Sequence, residues 1–376
     1  MNPDVLVVGA GPAGSIAALV LARAGVRVRL IDRARFPREK LCGDTLNPGA
    51  LATLDRLGLG AEIRARALPV SGMIVTGPGG ARVAADYPPG IRGAAIRRDD
   101  LDLLLVAAAT RAGARLDQEV RARAPLMSDR EPHRVTGARV ASGRREEPVT
   151  ARVVIAADGR ASRLATALRL SRFAASPRRW AFGAYFAGVD GQTTHGEMHV
   201  RRDGYTGVAP LPCGITNVCV VRQQSAARAA AVVAEAIHRD PMLRQRFATA
   251  RQISPVVSLG PLAIDAHASG CAGLLLAGDA AGFVDPMTGD GMRFALCGGL
   301  LAAEAALREL EQGRPAYRDL AAARAREFAA KWRINRALRA LVGSPTGVAV
   351  AAQVATRWGA PLRYLVGVAG DVRLAS

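Results

Sequence analysis

The sequence predicts an α/β chain: a mainly parallel sheet assembled from separated stretches, an antiparallel β-sheet domain inserted between them, and helices at the C-terminal end. Three observations predict it. Val5-Leu6-Val7-Val8 is a continuous apolar run that passes straight into a glycine-rich turn, a breaker-free helix and a second strand. Two later apolar runs, Val153 to Ala157 and Leu274 to Ala277, each end on an aspartate, Asp158 and Asp279. Between them, residues 172–262 read mostly as short alternating strands. Continuous apolar runs are the pattern of strands buried on both faces of a parallel sheet, whereas alternation marks a half-buried antiparallel one.

The first unit is Rossmann-like. Gly9 permits a tight turn off the strand and Gly11 lets backbone approach a pyrophosphate, with Pro12 and Ala13 between it and Gly14. Gly14 lets the helix, Ser15 to Ala24, lie close against the sheet. The helix N-terminus turns unpaired N–H groups and a positive dipole end towards the phosphates. Val26 to Ile31 is the second strand, and Asp32, 18 residues beyond Gly14, stands where an acid grips ribose hydroxyls. The unit predicts a bound dinucleotide.

Further along, residues 33–44 form a basic, proline-containing loop and Asn47 to Leu57 a helix ended by Gly58. Short runs split by Gly and Pro between residues 68 and 96 predict hairpins. A helix opens at Arg98-Asp99-Asp100, with acids at its N-terminus as the dipole prefers. Residues 115–150 suggest a small, polar surface meander. In the inserted block, strands are expected at Trp180 to Gly188, Glu197 to Val200, Gly204 to Leu211 and Thr216 to Val221, with one helix, Ala226 to Ile237. A long helix runs from Met292 to about Leu310, and Arg318 to Leu374 reads as helical and basic. The expected domains are therefore residues 1–70, 96–170 and 263–317 for the dinucleotide, 71–95 and 171–262 for a substrate sheet, and 318–376 as a C-terminal helical region.

Composition excludes several classes. Half of the 376 residues are apolar, which argues against disorder. The formal charge of +19 is spread along the chain as arginine, Lys40 and Lys331 being the only lysines, and aromatics are only 4% of residues. No basic run is paired with stacking aromatics, so no nucleic-acid partner is expected. Five cysteines without Cys-x-x-Cys spacing suggest neither a disulfide framework nor zinc, and a reducing cytoplasm is the expected compartment. His195 and His199 share one strand face but have no third ligand nearby, so no metal is expected. Trp332 and Trp358 are expected to cover the core, with peripheral membrane contact as the alternative.

The third motif narrows the dinucleotide. A carboxylate at Asp279 can accept a hydrogen bond from a polyol chain, and the Gly289-Asp290-Gly291 turn then feeds a helix beginning near Met292. The positive end of that helix suits the negative charge of a reduced flavin. With these residues in order, nearly the whole chain resembles the flavoprotein family that includes para-hydroxybenzoate-type hydroxylases, geranylgeranyl reductases and flavin-dependent halogenases.

The resemblance implies FAD held by Gly9, Gly11, Pro12, Ala13, Gly14 and Asp32, with Arg98 supporting the phosphates, Asp158 in the second motif, and Gly278 and Asp279 in the third. It also places Arg33, Cys42, Gly43, Gly289, Gly291 and Met292 at the cofactor. Asp32 stands where the family usually has Glu. The stretch Phe36 to Asp44, taken with Asp285 to Gly291, is most similar to the geranylgeranyl-reductase-like branch, whose Cys-Gly-Gly-Gly is here Cys42-Gly43-Asp44-Thr45. That branch's Tyr-x-Trp-x-Phe-Pro strand is matched by Tyr205 and Pro210, with Gly207 and Ala209 replacing the bulky pair.

Phe182, Tyr205, Gly207 and Pro210 are thus the candidate substrate walls; no catalytic residue is assigned. The halogenases' Trp-x-Trp-x-Ile-Pro is absent. The expected activity is FAD-dependent oxidation or reduction of a small apolar or aromatic molecule. A roomier pocket at Gly207 favours monooxygenation over double-bond reduction, and a halogenase or a non-enzymatic FAD protein ranks lower. Reduced nicotinamide, NAD(P)H, is the expected reductant and a separate electron donor the alternative, since no second glycine fingerprint is present.

Overall fold

The computed structural model describes residues 2–342 other than 177 and 224–228, together with residues 347, 353, 367, 368, 370 and 371. Trp358 and the end of the expected C-terminal helical region lie outside the described residues.

The first strand, Val5–Val8, sits inside a six-stranded sheet whose order is 270–271, 274–276, 153–156, 5–8, 28–32, 115–118. Val5–Val8 pairs in parallel with Val28–Asp32 on one side and Val153–Ala156 on the other, and Leu274–Leu276 continues beyond the latter. All three apolar runs of the sequence are therefore neighbours, and the aspartates of the later two emerge at the same sheet edge as the glycine turn. Odd residues Val5 and Val7 face helices, while Leu6 and Val8 face the opposite side.

On the first side, the helix Pro12–Arg23 is clamped between the sheet and the helices Arg98–Arg111 and Gly291–Gln312. The three-stranded antiparallel sheet of Val120–Met127, Val135–Ser142 and Arg145–Thr150 packs against the second side. The expected polar surface meander is thus a lid on the core. Its inward residues Val120, Ala122, Val140 and Val149 alternate with polar ones, so composition alone hides its buried face. Arg115–Gln118 belongs instead to the edge of the central sheet, parallel to Val28–Asp32.

The inserted block builds a large sheet in the order 251–252, 180–187, 215–222, 204–210, 195–201, 72–76, 82–86. Its pairs are antiparallel except one, His195–Arg201 with Gly72–Thr76. Residues 93–95, read with the substrate sheet, pair instead with Thr45–Leu46 and Leu68–Val70 in a small separate sheet. One face of the large sheet packs on the helices Ala229–Arg239 and Pro241–Arg246 through Phe182, Phe186, Val218, Val220, Val233 and Phe247. The other face looks towards the glycine turn.

The last described helix, Tyr317–Val342, lies against Gly291–Gln312, where Phe294, Phe328 and Trp332 form one aromatic cluster with ring centroids 5.0–6.4 Å apart. Among the described residues no helix is long and apolar enough to cross a membrane.

Candidate active site

A cavity of about 490 Å³ runs from the glycine turn to the large sheet. At one end it is lined by Gly9, Gly11, Pro12, Ala13, Asp32, Arg33 and Arg38. Its middle is lined by Lys40, Cys42, Gly43, Arg98, Asp158, Gly278 and Asp279, and its other end by Gly289, Gly291 and Met292. Against the sheet it meets Tyr205 and Gly207.

The glycine turn is built to leave space. Gly9 has φ +97°, and a Cβ there would lie 2.5 Å from the Ala157 carbonyl oxygen. Gly14 lies outside the cavity lining and serves packing, because its Cβ would stand 1.8 Å from the Gly9 oxygen. Gly11 caps Pro12–Arg23 without a side-chain hydrogen bond. Free N–H groups at that helix start therefore face the cavity, as an anion requires.

Asp32 is 5% exposed and does more than the sequence suggested. Ala10 N–H donates to its Oδ2 at 2.7 Å and Ala34 N–H to its Oδ1 at 2.8 Å. Its carboxylate therefore ties the glycine turn to the second strand, lines the cavity and pairs with Arg38 at 3.7 Å.

Arg98 is positioned by Asp102, which is fully buried and accepts its Nε at 3.1 Å and its Nη2 at 3.0 Å. Burial works against this guanidinium, but Asp102 and the Cys42 thiol hold its pKa above the usual arginine range. Burial pushes the Cys42 thiol up as well, so at neutral pH it is a neutral packing group beside the cavity. Burial lowers the Lys40 pKa, and the neighbouring Arg98 lowers it further, while Asp279 opposes both.

Asp158 Oδ1 is buried without a hydrogen-bond partner among the described residues, and Asp279 lines the cavity. A row of cations, a helix start, an orphaned carboxylate oxygen and a second carboxylate match the pyrophosphate and hydroxyls of FAD. The residues present fit that group. Replacing Asp279 by Ala should weaken FAD binding roughly ten- to a hundredfold, the usual loss of a charge-assisted hydrogen bond of about 1.5–3 kcal/mol. Fluorescence titration of the apoprotein measures it; an unchanged affinity removes Asp279 from the site.

The substrate walls need correction. Phe182 is fully buried on the far face of the large sheet, packed with Val220 and the helix Ala229–Arg239. Pro210 lies outside the cavity lining for the same reason: strand residues alternate, so Tyr205, Gly207 and Ala209 face the cavity and Pro210 faces away. The wall on this side consists of Tyr205 and Gly207 with Met73, Val75, Ala181, Met198, Val221 and Leu262. Tyr205 is held by its hydroxyl, which donates to Asp285 Oδ1 at 2.5 Å, while Arg179 donates to the other oxygen at 3.0 Å.

His195 and His199 go to different carboxylates, Asp86 and Glu197, and no metal-binding cluster occurs among the described residues. Sequence reasoning missed Asn47 and Asn217. Asn47 donates to Asp290 at 3.1 Å, and Asn217 donates to the Cys42 carbonyl at 2.9 Å, joining the cofactor loop to the large sheet.

Fold and cavity together define a dinucleotide-binding oxidoreductase with a separate sheet closing the reactive end. Residues 2–332 match the family model described as "FAD binding domain", and the chain belongs to that family. It is an FAD-dependent oxidoreductase. It is 35% identical over 323 residues to menaquinone reductase of Mycobacterium tuberculosis, covering 81% of this chain and 76% of that one. It is 29% identical over 321 residues to digeranylgeranylglycerophospholipid reductase 2 of Methanopyrus kandleri, covering 83% and 78%. Among solved structures, the flavin-dependent brominase Bmp2 shares the fold at TM-score 0.83 and 19% identity, covering 98% of this chain and 94% of that one. A geranylgeranyl bacteriochlorophyll reductase-like protein of Thermoplasma acidophilum shares it at 0.76 and 23%, covering 98% and 99%.

Proposed function

We propose that the protein reduces carbon–carbon double bonds in an apolar, prenyl-bearing molecule, such as a polyprenyl quinone or prenyl lipid, with FAD as the redox group. The observation that carries this reading is the continuity of the cavity, whose charged end suits FAD and whose other end is an apolar chamber against the large sheet. The similarity to two reductases of prenylated molecules supports it. FAD supplies the hydride chemistry when bound. The protein's share is to hold the phosphates with Arg98, the glycine turn and the helix Pro12–Arg23. The helix start at Gly291 meets charge at the ring end, and Met73, Val75, Met198 and Leu262 keep water out. We further propose that NAD(P)H is the reductant, bound transiently at the cavity mouth among Arg33, Arg160 and Arg163, with a separate electron donor as the alternative.

Monooxygenation is the second reading, and Gly207 favours it. Glycine leaves the wall without a side chain there, and a Cβ would meet nothing closer than the Cys219 carbonyl oxygen at 3.7 Å. Product mass decides between the two. Reduced protein supplied with a polyprenyl quinone should add two hydrogens to the prenyl chain without oxygen, whereas addition of one oxygen atom under air would overturn the reductase reading. Filling the chamber with Gly207→Trp should cut turnover at least tenfold while leaving FAD affinity within about twofold, because the ring is added on the sheet side of the cavity and not at the glycine turn. Equal turnover by folded, FAD-loaded variant protein would take this strand out of the substrate site.

A further inference from the structure

Asp44 lies just behind the wall of the cavity, between Gly43 and Thr45, which line it, and neither the fold nor the FAD contacts account for it. It is 1% exposed and adopts φ +53°, a left-handed conformation that few side chains tolerate. Its Oδ2 accepts the Tyr185 hydroxyl at 2.8 Å and the Asn217 amide at 2.5 Å. Among the described residues its Oδ1 is buried with no hydrogen-bond partner. An ionised carboxylate held this way is under-solvated, and a proton relieves it. Burial lifts the Asp44 carboxyl to about 6, against the downward pull of Tyr185, Asn217 and Arg98.

The surrounding groups come from every side. Cys42 and Arg98 flank it, Cys219 faces it from the large sheet, and Arg97 stacks on the Tyr185 ring at 5.0 Å. Two spaces meet at this wall. Cys42, Gly43, Thr45 and Asn217 line the main cavity. Tyr185 and Asn217 also line a second recess of about 20 Å³, with Glu39 and Ser254 on its rim. That volume suits about one water molecule.

We propose that Asp44 is a redox-linked proton store: it gains a proton through Tyr185 from the recess when negative charge appears in the cavity, and returns it when that charge leaves. The O–H bond of Tyr185 breaks as one forms at Asp44 Oδ2, and a recess water gives a proton to the tyrosine oxygen as it takes one from bulk solvent. The electrons enter the cavity from a reduced nicotinamide or, in the test below, from an electrode through mediator dyes. The proposal rests on the reading that this cavity cycles FAD between redox states.

The test is the midpoint potential of bound FAD as a function of pH in the full-length holoprotein, for the parent and for Asp44→Asn. Asparagine has the same shape, tolerates the left-handed backbone and cannot take up the proton. The parent curve should steepen near the pH at which Asp44 titrates, and the variant should keep only the slope of the flavin itself. Infrared difference spectra give a second readout on the unaltered protein: a protonated-carboxyl band should appear on reduction and vanish in Asp44→Asn. Tyr185→Phe should keep the steepened segment but move it to higher pH, since the hydrogen bond that lowers Asp44 is lost, and should slow the rise of that band at least tenfold. Parallel potential curves, or a reduction spectrum without the carboxyl band, would overturn the proton store, and an unchanged rate in Tyr185→Phe would overturn the relay. A protein that takes up no FAD would instead refute the functional reading itself.

Discussion

Replacing Lys331 by methionine should destabilise the fold by about 3–5 kcal/mol, the cost of stranding a buried charge. Lys331 Nζ lies 2.5 Å from Asp290 Oδ1 and 2.9 Å from Asp371, and the Lys331 and Asp290 side chains are only 8% and 2% exposed. Methionine keeps the apolar stem and removes the charge, leaving Asp290 with the neutral amide of Asn47 while Arg293 stays paired with Asp371 and Glu327. The pH dependence fixes the cause. Burial already raises the Asp290 pKa and Lys331 pulls it down. Without the lysine the folded-state pKa rises further, so the variant's deficit is full above that pKa and shrinks as acid protonates the group. Urea unfolding near neutrality and in mild acid measures this. A deficit below about 1 kcal/mol, or one that does not shrink in acid, would show that the pair does not hold the start of Gly291–Gln312 in place.

The second large effect is expected at Gly14. An alanine Cβ would stand 1.8 Å from the Gly9 oxygen and 3.2 Å from Ala157 Cβ. The helix cannot back away, since Gly299 of the neighbouring helix already presses on Ala13, where its own Cβ would come within 2.2 Å of the carbonyl oxygen. Overpacking of this kind costs about 1–3 kcal/mol and can exceed that where nothing yields. Because the displaced atoms are the phosphate-facing turn, Gly14→Ala should lose FAD at least tenfold more readily as well as melt earlier. Gly207→Ala, whose Cβ would make only ordinary van der Waals contacts at 3.7 and 3.9 Å, serves as the control and should melt like the parent. Parallel thermal melts and FAD titrations of the two variants decide it. Equal behaviour would mean that the turn has slack the packing does not show.

What the sequence revealed was what local chemistry encodes. Val5–Val8 and its glycines announce a strand, a turn and a helix start within a dozen residues, and the aspartates after the other apolar runs repeat the signal. The pairing that brings those runs together follows from the rules of parallel sheets. Facing was harder to read. Phe182 was read as a wall because it is aromatic and lies in the right strand, but one step of register decides between cavity and core, and no neighbouring residue declares it. The 120–150 meander hid its buried face behind arginines and glutamates. Asp44, Tyr185 and Asn217 come from a loop and two strands far apart in the chain, so their meeting leaves no local trace. The one hint was Asp44 standing where the resembled Cys-Gly-Gly-Gly motif has glycine.

The central claim is that one cavity, reaching from the glycine turn to Gly291, is shaped for a whole FAD molecule and not for a smaller flavin. The most direct measurement is to saturate the purified protein with FAD, remove the excess, release the bound flavin by heat and identify and count it. The account predicts FAD, about one per chain, held more weakly on substitution of Asp279 and retained on substitution of Gly207. Release of FMN, or of no flavin from protein offered excess FAD, would contradict it.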